Sequence, residues 1–382
     1  MRFIVWMGIV SLFADVTYEG ARSIIGPFLE NLGANATEVG VIAGFGEMVA
    51  AGLRFFSGKL VDRTRAYWAM AFLGYGLTFV AVPLLALAGN WPLAAVLIIA
   101  ERTGKGLRAP ATDVLLSGAT GKVGHGWGFG LHTALDQTGA VLGPLLVAAI
   151  VARSHKFGPA FLPLAIPAVA SLAALVAART VRLDPAPSPR HPTQPAKFPR
   201  VFWLYVTAAG LLACGFFDFA LLAFHFEKTG LARPAVIPLV YAGAMAVNGA
   251  TAPAFGRLFD RFSLPVLALG IAISTIALPL GFLGGFGAAV AGAGCWAAGL
   301  GLQDSTLRAG IAQVVSMEKR GTAFGVFNGV FGVSWFIGSA VMGLLYDRSV
   351  IALVVFGMVL QVAAAIMFFG LRRPLKQAAG AV

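Results

Sequence analysis

The sequence predicts an all-α integral membrane protein whose twelve transmembrane helices form two pseudo-symmetric six-helix bundles. Three observations lead there. Of 382 residues, 58% are hydrophobic and 12% charged, with a mean hydropathy of +0.84, whereas a soluble domain carries roughly a quarter of its residues as charges. The apolar residues gather in stretches of the ~20 residues that cross a bilayer. Short motifs also recur between the two halves of the chain at nearly one offset.

In order, the predicted spans are 3–29, 38–58, 66–88, 92–117, 126–152, 159–179, 201–226, 235–256, 264–285, 287–312, 321–345 and 350–371. The first starts just behind Met1-Arg2, as a signal peptide would. Asp15, Glu19 and Arg22 interrupt it and no small-residue cleavage site follows, so it is expected to be retained as a helix. The one long polar break contains Asp184-Pro185-Ala186-Pro187-Ser188-Pro189-Arg190-His191-Pro192, a run that can neither bury itself nor continue a helix. The expected organisation is an N-terminal bundle over 1–179, a cytoplasmic linker over 180–200, a C-terminal bundle over 201–371 and a cytoplasmic tail over 372–382.

The formal charge of +12, from 28 Lys and Arg against 16 Asp and Glu, would suggest a nucleic-acid partner in a soluble protein. Counted by side, with the N-terminus inside, 17 basic residues border the cytoplasm, 5 lie on the opposite side and 6 fall within spans. That is the positive-inside bias. It predicts a multi-pass protein of the cell membrane with both termini cytoplasmic, and nucleic acid is no longer needed to explain the charge. Cys214 and Cys295 sit in apolar runs and offer neither a disulfide framework nor metal-ligand spacing, so no cofactor or metal is expected.

The repeats define the architecture. Gly58-Lys59-Leu60-Val61-Asp62-Arg63 after the second span returns as Gly256-Arg257-Leu258-Phe259-Asp260-Arg261 after the eighth, 198 residues later. Gly126, Phe129 and Gly130 in the fifth span return as Gly321, Phe324 and Gly325 in the eleventh, 195 residues later. On these motifs the chain resembles the major facilitator superfamily of twelve-helix secondary transporters, whose two halves rock about a central site. The resemblance covers essentially the whole chain. Its best local support is the family's Gly-x-Leu-x-Asp-Arg loop, matched by Gly58, Leu60, Asp62 and Arg63 and again by Gly256, Leu258, Asp260 and Arg261. It implies that this loop holds neighbouring cytoplasmic helix ends together; of the basic residues that usually follow, only Arg65 is present. Arg102 and Gly106 match an Arg-x-x-x-Gly pattern whose arginine is associated with proton coupling in relatives. Gly139, Gly143 and Pro144 are similar to the Gly-x-x-x-Gly-Pro signature of family exporters, although the expected Gly-Gly pair beyond it is Val147-Ala148 here. Physically, such glycines permit close helix contact and the proline permits a bend.

Ionisable groups inside spans cost about 2.5–3.5 kcal/mol each even on the lenient insertion scale, and so face a bundle interior or a watery cavity. Asp15, Glu19 and Arg22 share one face of the first span, as do Glu47 and Arg54 in the second. The fourth span carries Glu101, Lys105 and Arg108 on one face, Arg102 about 100° away and Asp113 near its cytoplasmic end; the fifth adds His132 and Asp136 one turn apart. The first half thus holds six intramembrane acids and five bases, the second only Asp218, Asp304 and Arg308. A carboxylate that alternates between an arginine and a dry pocket becomes a proton carrier, and Asp15, Glu19 or Asp136 set against Arg102 or Arg108 is the expected switch. His132 and His225 are the histidines within spans, and packing explains a lone histidine as well as titration does.

The second half is rich in aromatic rings, among them Phe216, Phe217, Trp296, Phe331 and Trp335, most of them packing or lipid-facing. Asn248, Gln303 and Asn328 are the neutral polar groups that would orient a substrate among such rings. The expected function is secondary active transport by alternating access: proton-coupled export of a small amphipathic drug or metabolite by a monomer. Proton-coupled uptake or exchange of an organic anion is the alternative, with Arg22, Arg54, Arg102 and Arg108 as its binders. Acids interleaved with bases argue against a metal substrate. An enzyme is not expected, because no nucleophile–base pair stands out and Gly104-Lys105-Gly106 lacks phosphate-loop spacing.

Overall fold

The computed structural model describes residues 2–120, 125–181, 198–262, 264–307, 309–311, 315 and 319–371. Most of the expected linker, the tail over 372–382 and Arg308 lie outside the described residues. Helices form the described structure throughout: α1 (Arg2–Arg22), α2 (Ile25–Asn31), α3 (Ala36–Thr64), α4 (Tyr67–Leu84), α5 (Trp91–Thr120), α6 (His125–Ser154), α7 (Ala165–Val181), α8 (Arg200–Cys214), α9 (Phe219–Lys228), α10 (Val236–Phe262), α11 (Leu264–Leu283), α12 (Phe286–Leu302), α13 (Arg320–Arg348) and α14 (Val350–Gly370). Each of the twelve predicted spans has its counterpart, with α1 and α2 together making the first and α8 and α9 the seventh. Among the described residues, ten segments are long and apolar enough to cross a membrane. The other two spans miss for opposite reasons: α5 carries five charges, and α12 is apolar but only 17 residues long.

The exposed surface is the apolar one. Ile166 is 75% exposed, Leu87 73% and Ile366 67%, whereas Glu101, Arg102 and Arg108 are buried. That inverts the arrangement water imposes and suits lipid outside and polar groups within.

Three spans predicted as continuous are broken. Pro27 ends the first: a helix running through it would set its ring against the carbonyl of Ser23 and lose one hydrogen bond, so the chain turns at Ser23–Ile24 and Ser23 Oγ donates to the Gly20 carbonyl at 2.6 Å. The seventh breaks at residues 215–218. Gln361 Nε2 donates to the Gly215 carbonyl at 2.8 Å, Trp296 Nε1 to the Phe217 carbonyl at 2.9 Å, and Asp218 Oδ1 caps α9 by accepting from the Ala220 amide at 2.9 Å. In the tenth, α12 passes into a π-helical stretch, Gln303–Leu307. The first two breaks fall at corresponding places in the two halves, and interrupted spans so placed mark binding regions in transporters.

The chain divides into two compact units. The first gathers the described residues of Met1–Ala34, Phe45–Ser188 and Ala223–Met245; the second gathers those of Asn35–Gly44, Pro189–Leu222 and Ala246–Val382. In the first, α1 lies along α6 on a glycine seam. A Cβ on Gly139 would strike the Leu12 carbonyl oxygen, one on Gly143 the Val16 carbonyl oxygen, and one on Gly20 would come within 3.2 Å of the Gly143 carbonyl oxygen. Backbone cannot yield as a side chain can. Gly143→Ala is therefore expected to destabilise the protein by about 1–3 kcal/mol, read as a lowered midpoint of thermal unfolding in detergent.

In the second unit, the start of α3 is fully capped. Asn35 and Glu38 form a reciprocal capping box at 2.8 and 2.7 Å. Asp347 at the end of α13 accepts from the amides of Ala36 (3.1 Å) and Thr37 (2.8 Å) and from the Thr37 hydroxyl (2.6 Å). Asp347→Ala strips these donors of their partner and is expected to cost about 1–2 kcal/mol, measurable as loss of thermal stability that Asp347→Asn restores in part.

Candidate functional site

The polar centre of the first unit is built by α1, α3, α5 and α6. From α5, Arg102 reaches α1 and α3 at once: its guanidinium lies 3.6 Å from Glu47 and 3.6 Å from Glu101, and it donates to the Tyr18 hydroxyl. Arg22 of α1 approaches the same Glu47 oxygen at 3.7 Å. One carboxylate thus serves two arginines, at distances longer than the 2.7–2.9 Å typical of a charge-assisted hydrogen bond. The Tyr18 ring supports two cations, with the Arg102 guanidinium 4.6 Å and Lys105 Nζ 3.7 Å from its centroid.

Arg108, two turns further along α5, faces α4 instead. It donates to Thr78 Oγ1 at 2.9 Å and lies 4.4 Å from the Tyr75 ring centroid. The predicted common face of Glu101, Lys105 and Arg108 is therefore shared between two neighbouring helices.

At the α1–α6 seam, the carboxyls of Asp15 and Asp136 are neighbours, with Glu19 as a further acid and Lys105 as an opposing charge close to Asp15. The missing side chain at Gly139 lets Asp15 approach, since a Cβ there would lie 3.1 Å from that of Asp15. Ser11 donates to Asp136 from one turn away on α1. Glu19 accepts a hydrogen bond from the hydroxyl of Tyr241, a fully buried residue of α10. Asp15 thus neighbours Asp136, Glu19 and Lys105, while Arg102 and Arg108 engage Glu47, Glu101 and Thr78. Tyr18, Tyr75, Thr78, Ser11 and Tyr241 were not among the residues expected from the sequence, which were charged groups, histidines and side-chain amides; a hydroxyl or phenol one turn from an intramembrane charge is the signal that would have found Tyr18 and Ser11.

The remaining candidates are dispersed. Arg54 and His132 are half-buried and Asp113 is exposed. Asp62, Arg63, Asp260 and Arg261 are exposed, while their motif glycines face equivalent partners: a Cβ on Gly58 would meet Pro110 at 3.8 Å, and one on Gly256 would meet Ser305 at 3.8 Å. In the second unit Asn248 and Gln303 are buried, Asn328 is half-buried and Asp304 is exposed. Gln303 Nε2 turns back to the Gly299 carbonyl at 3.4 Å.

Lipid-facing apolar helices around a buried, hydrogen-bonded set of charges define a multi-pass membrane protein with a polar interior. The Major Facilitator Superfamily model matches residues 7–247. An uncharacterized protein of Mycobacterium tuberculosis is 42% identical over 98% of this chain and 93% of its own length. An uncharacterized MFS-type transporter of Methanocaldococcus jannaschii is 24% identical over 94% of this chain and 92% of its own. Among solved structures, a mutant of the nucleoside transporter NupG superposes with a TM-score of 0.77 at 12% identity, covering 97% of this chain and 100% of that one; such a likeness speaks for the fold alone. The chain belongs to the major facilitator superfamily. It is a membrane-embedded secondary transporter of small molecules.

Proposed function

We propose that this transporter exports a small amphipathic compound across the cell membrane in exchange for protons. The observation that carries this is the Asp15–Asp136 carboxyl pair at the α1–α6 seam. Two neighbouring carboxyls repel each other when both are charged, which makes this half-buried pair a place where a proton can be exchanged. A change in its distance from Lys105 as the helices move takes the proton up or lets it go. The seam also carries Gly139, Gly143 and Pro144, the pattern similar to family exporters, and close glycine packing lets α6 slide on α1.

The distribution of Lys and Arg supports cytoplasmic termini, and the protein works as a monomer without nucleic acid. Two bundles, 1–179 and 201–371, move about the polar centre, with Asp62–Arg63 and Asp260–Arg261 steadying their cytoplasmic ends.

Proteoliposomes with an imposed pH gradient test this reading: substrate should move against its own gradient at the expense of the proton gradient. Transport indifferent to pH gradient and protonophore would sink it. A second reading draws on Arg22 and Arg102 sharing Glu47, an arrangement in which an organic anion displaces the carboxylate. It predicts growth on an added anion in place of lowered sensitivity to lipophilic compounds.

A further inference from the structure

On α13, two buried hydrogen-bond donors go unanswered. Trp335 is 6% exposed and Ser339 2%, and among the described residues neither the indole Nε1 nor the hydroxyl Oγ has a hydrogen-bond partner. Four residues apart, they stand one above the other on a single helix face. Several comparable donors elsewhere are satisfied. Trp296 Nε1 donates to the Phe217 carbonyl at 2.9 Å, and Thr17, Thr251, Thr275 and Thr306 return their hydroxyls to the carbonyl one turn back. Ser339 does not take that course.

Aromatic rings flank the pair. The Trp335 centroid lies 5.5 Å from that of Phe216, at 47°, and 5.9 Å from that of Phe331, at 39°, within the range in which rings attract. Phe331 is half-buried. The first turns of α3 close on the same stretch of α13: a Cβ on Gly44 would lie 2.7 Å from the Ser339 Cβ, and one on Gly40 would strike the Ser339 carbonyl oxygen.

We propose that Trp335 and Ser339 form a donor pair for a carbonyl-type oxygen on an aromatic substrate, with Phe216 and Phe331 receiving its ring. An indole N–H only donates, a serine hydroxyl readily does, and one sp² oxygen has two lone pairs to accept both. A ligand lacking that oxygen leaves both donors desolvated, so the subsite selects for an acceptor as well as for a flat ring. The inference rests on the transporter reading only in calling the ligand a substrate.

The test uses full-length ¹⁵N-labelled protein in nanodiscs, with the Trp335 indole resonance assigned by its loss in Trp335→Phe. Acetophenone and its isostere α-methylstyrene, in which methylene replaces the carbonyl oxygen, are titrated separately. Acetophenone should move the Trp335 resonance saturably, α-methylstyrene should bind at least about tenfold more weakly, and Ser339→Ala should weaken acetophenone by about tenfold. The indole resonances of the other six of the seven tryptophans report that each variant is folded. Absence of any shift, equal binding of the two probes, or unchanged acetophenone affinity in Ser339→Ala overturns the proposal. Proton coupling is measured separately in proteoliposomes, so either reading can fail while the other stands.

Discussion

Arg102→Met is expected to destabilise the protein by about 3–5 kcal/mol, the usual consequence of removing one partner from a buried charge cluster. Arg102 touches Glu47, Glu101 and the Tyr18 hydroxyl, and its side chain is 4% exposed. Glu101, with a side chain 8% exposed, has an Oε1 that finds no hydrogen-bond partner among the described residues, so its charge leans on its neighbours. With the guanidinium gone, a carboxylate is left in a dry interior, whereas methionine fills much of the space. The check is a double-variant cycle by thermal unfolding in detergent. Glu101→Gln in the Arg102→Met background should recover a substantial part of the loss, because it removes the stranded charge. Additive losses would mean that the two side chains act independently.

Asp15→Asn and Asp136→Asn should each slow transport driven by a pH gradient by about 5- to 150-fold, the range of a typical coupling free energy. Asparagine keeps the shape and one acceptor of the pair but cannot store a proton. Counterflow, in which labelled substrate exchanges for unlabelled without net proton movement, should continue in both variants. Loss of counterflow would assign the pair to substrate binding or to packing of the α1–α6 seam. Glu19→Gln makes a useful comparison, because Glu19 accepts from the neutral hydroxyl of Tyr241 as well as lying near Asp15.

Much of the architecture was legible because bilayer spanning is a demand on local composition. Twelve apolar stretches, the Gly-x-Leu-x-Asp-Arg repeat and the one-sided Lys and Arg counts required no knowledge of distant contacts. The α3 start, where Asn35 is followed three residues later by Glu38, carries a capping pattern that a reading by apolar spans passed over. The breaks were harder. Pro27 signals the first in plain view, but the one at 215–218 persists because Gln361 and Trp296, far along the chain, satisfy the carbonyls it frees. Asp218 looked like a lone intramembrane acid and is a helix cap.

The site was legible as an inventory and not as a set of pairs. Helical periodicity places Glu101, Lys105 and Arg108 on one face, yet Lys105 meets Tyr18 of α1 while Arg108 meets Thr78 and Tyr75 of α4. A face about 100° wide borders more than one neighbour, and periodicity does not say which neighbour takes which residue. Sequence alone therefore determined that this chain lives in a membrane, repeats itself and buries charge in its first half, since each follows from composition and spacing along the chain. Only the tertiary structure decided that Asp15 pairs with Asp136, that Glu47 is shared by two arginines and that Trp335 and Ser339 are left with donors to offer, because hydrogen bonds and ion pairs act over a few ångströms between residues that sequence separates by dozens.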